Sequence, residues 1–391
     1  MPAHSDWAWP RFTEEEAEAV RRVILSNRVN YWTGDECRQF EREFAAWAGT
    51  RHAVALMNGT VALEGALRAL GIGRGAEVIV TPRSFIASAS CIVAAGAIPV
   101  FADVDRDSQN VTAKTIEVAL TSRTSAIICV HLAGWPCDMP SILALASQRE
   151  LPVIEDCAQA HGARIDGRAV GSFGQIGAWS FCQDKIMTTG GEGGMVTTDD
   201  PELWARLWAY KDHGKSWEAV YERQHPPGFR WLHDTFGTNW RMMEAQAAIG
   251  RIQLRRMNEW HVRRLKNAQA IWNSARGLPG LRVPEIPPTI EHAAYKCYLF
   301  LEPEKLRPDW NRDRVMAEIN ALGVPCFSGS CSEMYLEKAF DGTGWRPAEA
   351  LPVARELGRT SFMFLVHPTL TDVAIRRTCE ALETVMAQAL P

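Results

Sequence analysis

The sequence predicts an α/β protein: a three-layer α/β/α large domain on a mainly parallel, seven-stranded sheet, with a smaller C-terminal α+β domain. Three observations carry this expectation. Between residues 53 and 198, short apolar runs alternate with helix-length segments, as strands joined by crossover helices do. Runs such as 178–182 are apolar almost throughout and read as strands buried on both faces. After Pro201 the character shifts to long helices, and a proline-rich stretch at 278–288 precedes a second, shorter mixture of strands and helices.

The elements follow in order. Thr13 ahead of Glu14, Glu15 and Glu16 is an N-cap with an acidic first turn, which favours a helix in the opening segment 7–26. Phe40, Phe44 and Trp47 recur at helical spacing and predict a helix over 37–47. Strands are expected at 53–56, 77–80, 98–102, 125–130, 152–156, 178–182 and 195–198, with helices at 61–70, 87–95, 112–120 and 139–148. Helices follow at 202–213 and from Asn239 to about Trp272. The small domain is expected to hold strands at 298–301 and 325–327, and helices at 312–322 and 372–389. We place the domains at 1–250 and 251–391, the second beginning with the long linking helix. There is no internal repeat, and the polar, Pro- and Gly-containing segment 215–236 is the expected mobile loop.

Composition excludes several classes of function. Of the 391 residues, 47% are hydrophobic and 23% charged, ordinary values for a globular protein with a sizeable core. The net charge of −4 provides no basic excess for nucleic-acid binding. Ten cysteines are scattered without a CxxC pair and without a signal peptide, so reduced thiols and a cytoplasmic location are expected. No apolar run reaches the ~18 residues of a membrane span.

The chemistry centres on Lys185, a lone cation delivered between an apolar strand and a turn containing Gly190, Gly191, Gly193 and Gly194. A lysine there suits a Schiff base with a carbonyl cofactor, provided it is desolvated enough to reach its neutral form. Asn58-Gly59-Thr60-Val61 links a strand to a helix and offers an anion the free N–H groups of a helix N-terminus, although it equally suits a plain cap. Asp156 ends an apolar strand, where ligands gather in open α/β sheets, and a carboxylate there can hold a pyridinium nitrogen protonated; it also suits a helix N-cap. Gln159 and His161 follow closely, His161 equally as a buried structural histidine. Ser180 can donate to a phosphate. Phe85 alone reads as a core residue. Walker loops, nucleophile elbows, HExxH and CxxC motifs are absent, so no metal is expected.

These stretches resemble the DegT/DnrJ/EryC1/StrS sugar aminotransferases, fold-type I pyridoxal-phosphate enzymes of the aspartate aminotransferase superfamily. The resemblance runs through Tyr31-Trp-Thr-Gly34, Asn58-Gly-Thr60, Glu77-Val-Ile-Val-Thr-Pro82, Ser84-Phe85, Ile154-Glu-Asp-Cys-Ala-Gln-Ala-His-Gly162, the lysine segment and Asn239-Trp-Arg-Met242. It implies Lys185 as the cofactor-bound lysine and proton carrier, Asp156 as partner of the pyridine nitrogen, and Phe85 and Gln159 on either side of the ring. Gly59, Thr60 (with Val61 beside them) and Ser180 match the phosphate site, and Asn239 a phosphate contact from the neighbouring subunit of a homodimer. Tyr31, His161 and Arg241 are the expected substrate contacts. The implied reaction moves an amino group from L-glutamate to a keto group of a nucleotide-linked sugar, pyridoxal 5′-phosphate alternating with pyridoxamine 5′-phosphate. A ketocyclitol acceptor and a cofactor-binding regulator without turnover are the alternatives. Lys185 counts against the family's dehydratases, which carry histidine there. The chain departs from the family where a Tyr-His pair is usual, having Tyr295-Lys296, and its segment 326–335 contains no histidine. Both departures bear on the substrate.

Overall fold

The computed structural model describes residues 7–228 and 230–391. The central sheet has seven strands: β1 His52–Leu56, β2 Glu77–Val80, β3 Ile98–Phe101, β4 Thr124–Val130, β5 Val153–Asp156, β6 Ile176–Ser180 and β7 Gly194–Thr198. They lie in the order β1-β7-β6-β5-β4-β2-β3, and β7 alone runs against the others. The expected α/β fold with a mainly parallel sheet is therefore present.

Successive residues of a strand point to opposite faces, and here both faces are buried. Val78, Val80 and Ile128 enter the core shared with helices Glu36–Ala48 and Gly59–Ala69. Ile79, Ile127 and Val153 enter a second core with Ile116, Ile142 and Leu145. This explains why the strands read as continuous apolar runs. Caps set the helix starts: Thr13 and Glu16 form a capping box before Glu14–Leu25, and Asn58 Oδ1 accepts the Val61 N–H at 3.0 Å before Gly59–Ala69.

The C-terminal part is built on a four-stranded antiparallel sheet, in the order Leu281–Arg282, Cys297–Leu301, Ser361–Phe364, Cys326–Phe327. Helices Arg312–Ala321 and Asp372–Ala389 cover it. The helix Glu244–Ala275 serves both parts: Ala247, Leu254 and Met257 join the main core, whereas Ala268, Ile271 and Trp272 join the core of the small sheet.

Some boundaries differ from expectation. The long helix starts at Glu244, because residues 239–243 are extended and their backbone groups are taken elsewhere. Trp240 accepts the Met57 N–H and donates to the Lys211 carbonyl, both at 2.9 Å. Strand β6 occupies 176–180 rather than 178–182, since Ile176 and Gly177 pair with Ile154 and Glu155. Segment 215–236 includes a helix, Trp217–Tyr221, capped by Ser216, and is tied back by the Arg223–Asp234 ion pair at 2.9 Å. The helix Pro352–Thr360 and the strand Ser361–Phe364 were not anticipated. Among the described residues, no helix is long and apolar enough to cross a membrane.

Candidate active site

A cavity of about 860 Å³ opens at the carboxyl ends of β5 and β6 and is closed on its far side by the small sheet. Asn58, Gly59, Thr60, Phe85, Asp156, Gln159, Ser180 and Lys185 line it, joined by Tyr295, Lys296 and Ser330 from the C-terminal part. Distant stretches of the chain thus meet at the carboxyl edge of a parallel sheet, where open α/β folds bind ligands.

Asp156 is 4% exposed at the end of β5. Ser88 Oγ donates to its Oδ2 at 2.8 Å and the Ala158 N–H to its Oδ1 at 3.1 Å. Burial pushes its carboxyl above the usual carboxylate range, and these two hydrogen bonds oppose that shift. Gln159 Oε1 accepts the Ala133 N–H at 2.9 Å, which fixes the orientation of the amide.

Lys185 follows β6 on a turn. Its carbonyl accepts the Trp9 indole N–H at 2.8 Å, and its ammonium lies 5.3 Å from the centre of the Tyr295 ring. The Tyr295 hydroxyl donates to Asp184. Burial opposes the charge of Asp184, but Lys185, this hydroxyl and Lys296 hold its carboxyl below the usual range. Gly190 and Gly191 adopt φ of 86° and 120°, left-handed conformations that let the chain turn back into β7.

Gly59 opens its helix, so its N–H and that of Thr60 have no acceptor within the helix. A Cβ on Gly59 would stand 2.5 Å from the Ser180 Cβ, and the missing side chain leaves a small polar cradle formed by two N–H groups and two hydroxyls. That donor set, at the positive end of a helix, fits a phosphate. Phe85 is not a core residue: it is 67% exposed on the cavity wall. An aromatic ring presented to an open cavity fits a planar ligand, and the carboxylate of Asp156 fits a ring nitrogen. These residues are therefore compatible with pyridoxal phosphate.

Other candidates lie elsewhere. Val61 does not line the cavity, and its N–H is used by Asn58. Two expected substrate contacts lie in the interior, away from the cavity lining. Tyr31, 1% exposed, bonds Glu41 and Trp208 at 3.1 and 3.0 Å. His161, fully buried, packs against Trp179 and Phe181 with ring centres 5.2 and 5.7 Å away. Arg241 pairs with Asp212 at 2.5 Å outside the cavity, and Asn239 is exposed away from it. Ser88, Asp184 and Trp9 were missed. Only Ser88 left a signal, lying one helical turn beyond Ser84, to which its hydroxyl is bonded at 3.0 Å.

His131, Glu155 and Cys157 cluster below the site within metal-ligand distance of one another. The lone pairs of His131 and Glu155 are committed to the fold. Glu155 accepts the N–H groups of Gly171, Phe173 and Gly174 at 2.7–2.8 Å and that of His131 Nε2 at 3.0 Å, while His131 Nδ1 accepts the Cys137 N–H at 2.9 Å.

The sheet order and the lysine-bearing turn belong to the class of fold-type I, pyridoxal-phosphate-dependent aminotransferases. The model of the DegT/DnrJ/EryC1/StrS aminotransferase family matches residues 10–383, and the chain belongs to that family. It is 35% identical over 374 residues to a dTDP-3-amino-3,4,6-trideoxy-alpha-D-glucose transaminase of Streptomyces venezuelae, covering 96% of this chain and 93% of the relative. It is 37% identical over 354 residues to a UDP-N-acetyl-3-dehydro-alpha-D-glucosamine 3-aminotransferase of Acidithiobacillus ferrooxidans, covering 89% and 88%. A solved aminotransferase from Psychrobacter cryohalolentis is 60% identical and superimposes with a TM-score of 0.96 over 98% of this chain and 99% of its own.

Proposed function

We propose that this aminotransferase moves an amino group from L-glutamate to a keto carbon of a nucleotide-linked sugar. The observation carrying the chemistry is that Lys185 and Asp156 line one cavity together with the exposed Phe85 ring. Pyridoxal phosphate, when bound, supplies the carbonyl and the electron-withdrawing ring on which an amino group is held during transfer. Lys185 Nζ would hold its carbonyl carbon. With the cofactor bound, the free Nζ would be the base that takes the proton from the donor's α-carbon and the acid that delivers it to the cofactor's carbonyl carbon. Asp156, positioned by Ser88 and Ala158, would keep a proton on the ring nitrogen. Phe85 and Gln159 would hold the ring, and Gly59, Thr60 and Ser180 would hold the phosphate.

In this reading residues 1–250 form the cofactor-binding unit. Residues 251–391, led by the long helix, form the smaller unit that supplies Tyr295 and Lys296. Asn239 is exposed and outside its own cavity, which favours a role for it in the site of a second subunit of a homodimer. The dTDP- and UDP-sugar names of the two relatives favour a nucleotide sugar over a ketocyclitol.

The test is spectroscopic. L-Glutamate should bleach the visible absorbance of the cofactor-loaded protein, and 2-oxoglutarate or a nucleotide ketosugar should restore it. Lys185→Ala should lack both the absorbance and turnover. Glutamate-to-ketosugar turnover surviving in that variant would sink the assignment, and recovery with a ketocyclitol alone would move the acceptor to the other class.

A further inference from the structure

Among the described residues lining the cavity, only Lys185 and Lys296 carry cationic side chains. Lys296 immediately precedes the strand Cys297–Leu301. Its ammonium lies 4.6 Å from the centre of the Tyr295 ring, the ring that also carries the Lys185 ammonium at 5.3 Å. Asp184, Arg264 and Lys185 are the charges that act on Lys296, two cations and one carboxylate. Arg264 is 1% exposed, with no hydrogen-bond partner for Nε or Nη2. Asp184 is held by the Tyr295 hydroxyl. Glu192 and Glu337 also line the cavity. Around Lys185 the three cations Lys185, Lys296 and Arg264 face two carboxylates, Asp156 and Asp184, and burying uncompensated charge is costly unless a ligand completes the pair.

We propose that Lys296 binds the α-carboxylate of the amino donor, an inference that rests on the aminotransferase reading above. The donor's nitrogen must take the place of Lys185 Nζ, and its α-carboxylate is only two bonds from that nitrogen. Lys296, whose ammonium shares the Tyr295 ring with that of Lys185, is the other cation on the described cavity wall that can meet it. An ammonium pairs with a carboxylate as a compact point charge and tolerates the small displacements that accompany reaction at the adjacent carbon.

The test uses the full-length, cofactor-loaded protein and its Lys296→Met and Lys296→Arg variants. In Lys296→Met the resting visible absorbance should be unchanged, while the L-glutamate concentration that half-bleaches it should rise about tenfold or more, the loss expected for a charge-assisted hydrogen bond. Lys296→Arg should recover part of that loss. n-Butylamine, a primary amine without a carboxylate, should react equally with wild type and Lys296→Met. Equal glutamate half-saturation in wild type and Lys296→Met would overturn the proposal, as would an equal loss towards n-butylamine. Calorimetric binding of glutarate, a carboxylate that cannot donate an amino group, separates the two readings. If glutamate fails to bleach wild type, the donor reading falls. Lys296 is then judged on glutarate alone, whose binding should weaken about tenfold in Lys296→Met, and unaltered binding refutes the proposal.

Discussion

Gly59 and Ser180 approach so closely that a Cβ on the glycine would stand 2.5 Å from the serine Cβ and 3.0 Å from its Oγ. The helix N-terminus after β1 and the end of β6 come this close only because this side chain is missing, which is what our phosphate assignment requires. Gly59→Ala should separate them. A small-to-large change at a packed contact costs about 1–3 kcal/mol, and the phosphate would lose a well-placed donor. Titration of the apoprotein with pyridoxal phosphate should show a dissociation constant raised about tenfold or more, the size of one hydrogen bond to a charged group. An unchanged constant would remove Gly59 from the phosphate site.

The bond from Ser88 to Asp156 governs a buried carboxyl whose pKa burial has raised above the ordinary 3.8. As pH rises through the window from 3.8 to the higher folded value, the unfolded chain releases its proton before the native protein does, so stability falls across that window. Ser88→Ala removes an interaction that lowers the folded value, which widens the window. Near neutrality the apoprotein variant should be about 1–2 kcal/mol less stable than wild type. The gap should narrow as pH falls below the folded value towards ~4, where both native proteins hold this carboxyl protonated. Urea denaturation at the two pH values measures it, and a gap that did not change with pH would assign the loss to packing.

Much of the candidate site was legible because the residues that line its cavity follow chain punctuation: Asp156 ends a strand, Gly59 starts a helix and Lys185 precedes a glycine turn. Phe85 was misread because an apolar residue between Ser84 and Ile86 gives no local sign of which way it faces. Its 67% exposure emerges only when the strands are assembled. Tyr31 and His161 were misplaced for the opposite reason. Both are polar in the sequence, but Trp208 and Lys211 close over the first, the lysine ammonium 3.4 Å from its ring centre, while Trp179 and Phe181 enclose the second. Residues 239–243 continue a helical pattern yet are held extended by bridges to Asn30, Leu56 and Asp212, contacts remote in sequence. The strand Ser361–Phe364 takes its register from partners about 35 and 65 residues earlier, beyond the reach of any local pattern.

Glu155 is a fully buried carboxylate with four hydrogen-bond donors around it, three of them backbone N–H groups of residues 171–174. Glu155→Ala would strand all four donors without water. Breaking a buried charged network typically costs about 3–5 kcal/mol, and the thermal midpoint should fall accordingly. Because the lone pairs of His131 and Glu155 are already in use, a chelator should leave the midpoint of wild type unchanged. A chelator-induced fall would instead make this cluster a metal centre.

His161 offers the sharpest separation between a structural and a substrate-binding histidine. Neither ring nitrogen has a hydrogen-bond partner, and burial, followed by the charges of Lys185 and Arg264, pushes its pKa from 6.5 down to about 3. The native protein keeps the ring neutral, while the unfolded chain takes up a proton below about 6.5. The stability associated with the neutral ring is thus complete above that pH and is progressively lost as pH falls towards 3. His161→Phe keeps an aromatic ring between Trp179 and Phe181 and abolishes the titration. The acid-side decline in unfolding free energy should become shallower, though not flat, because His292 and His367 are likewise pushed down to about 3. Since His161 does not line the cavity, KM for the acceptor sugar should be the same in the variant. A steep rise in KM with an unaltered pH–stability profile would return His161 to the substrate site; a shallower acid limb with KM unmoved fixes it in the core.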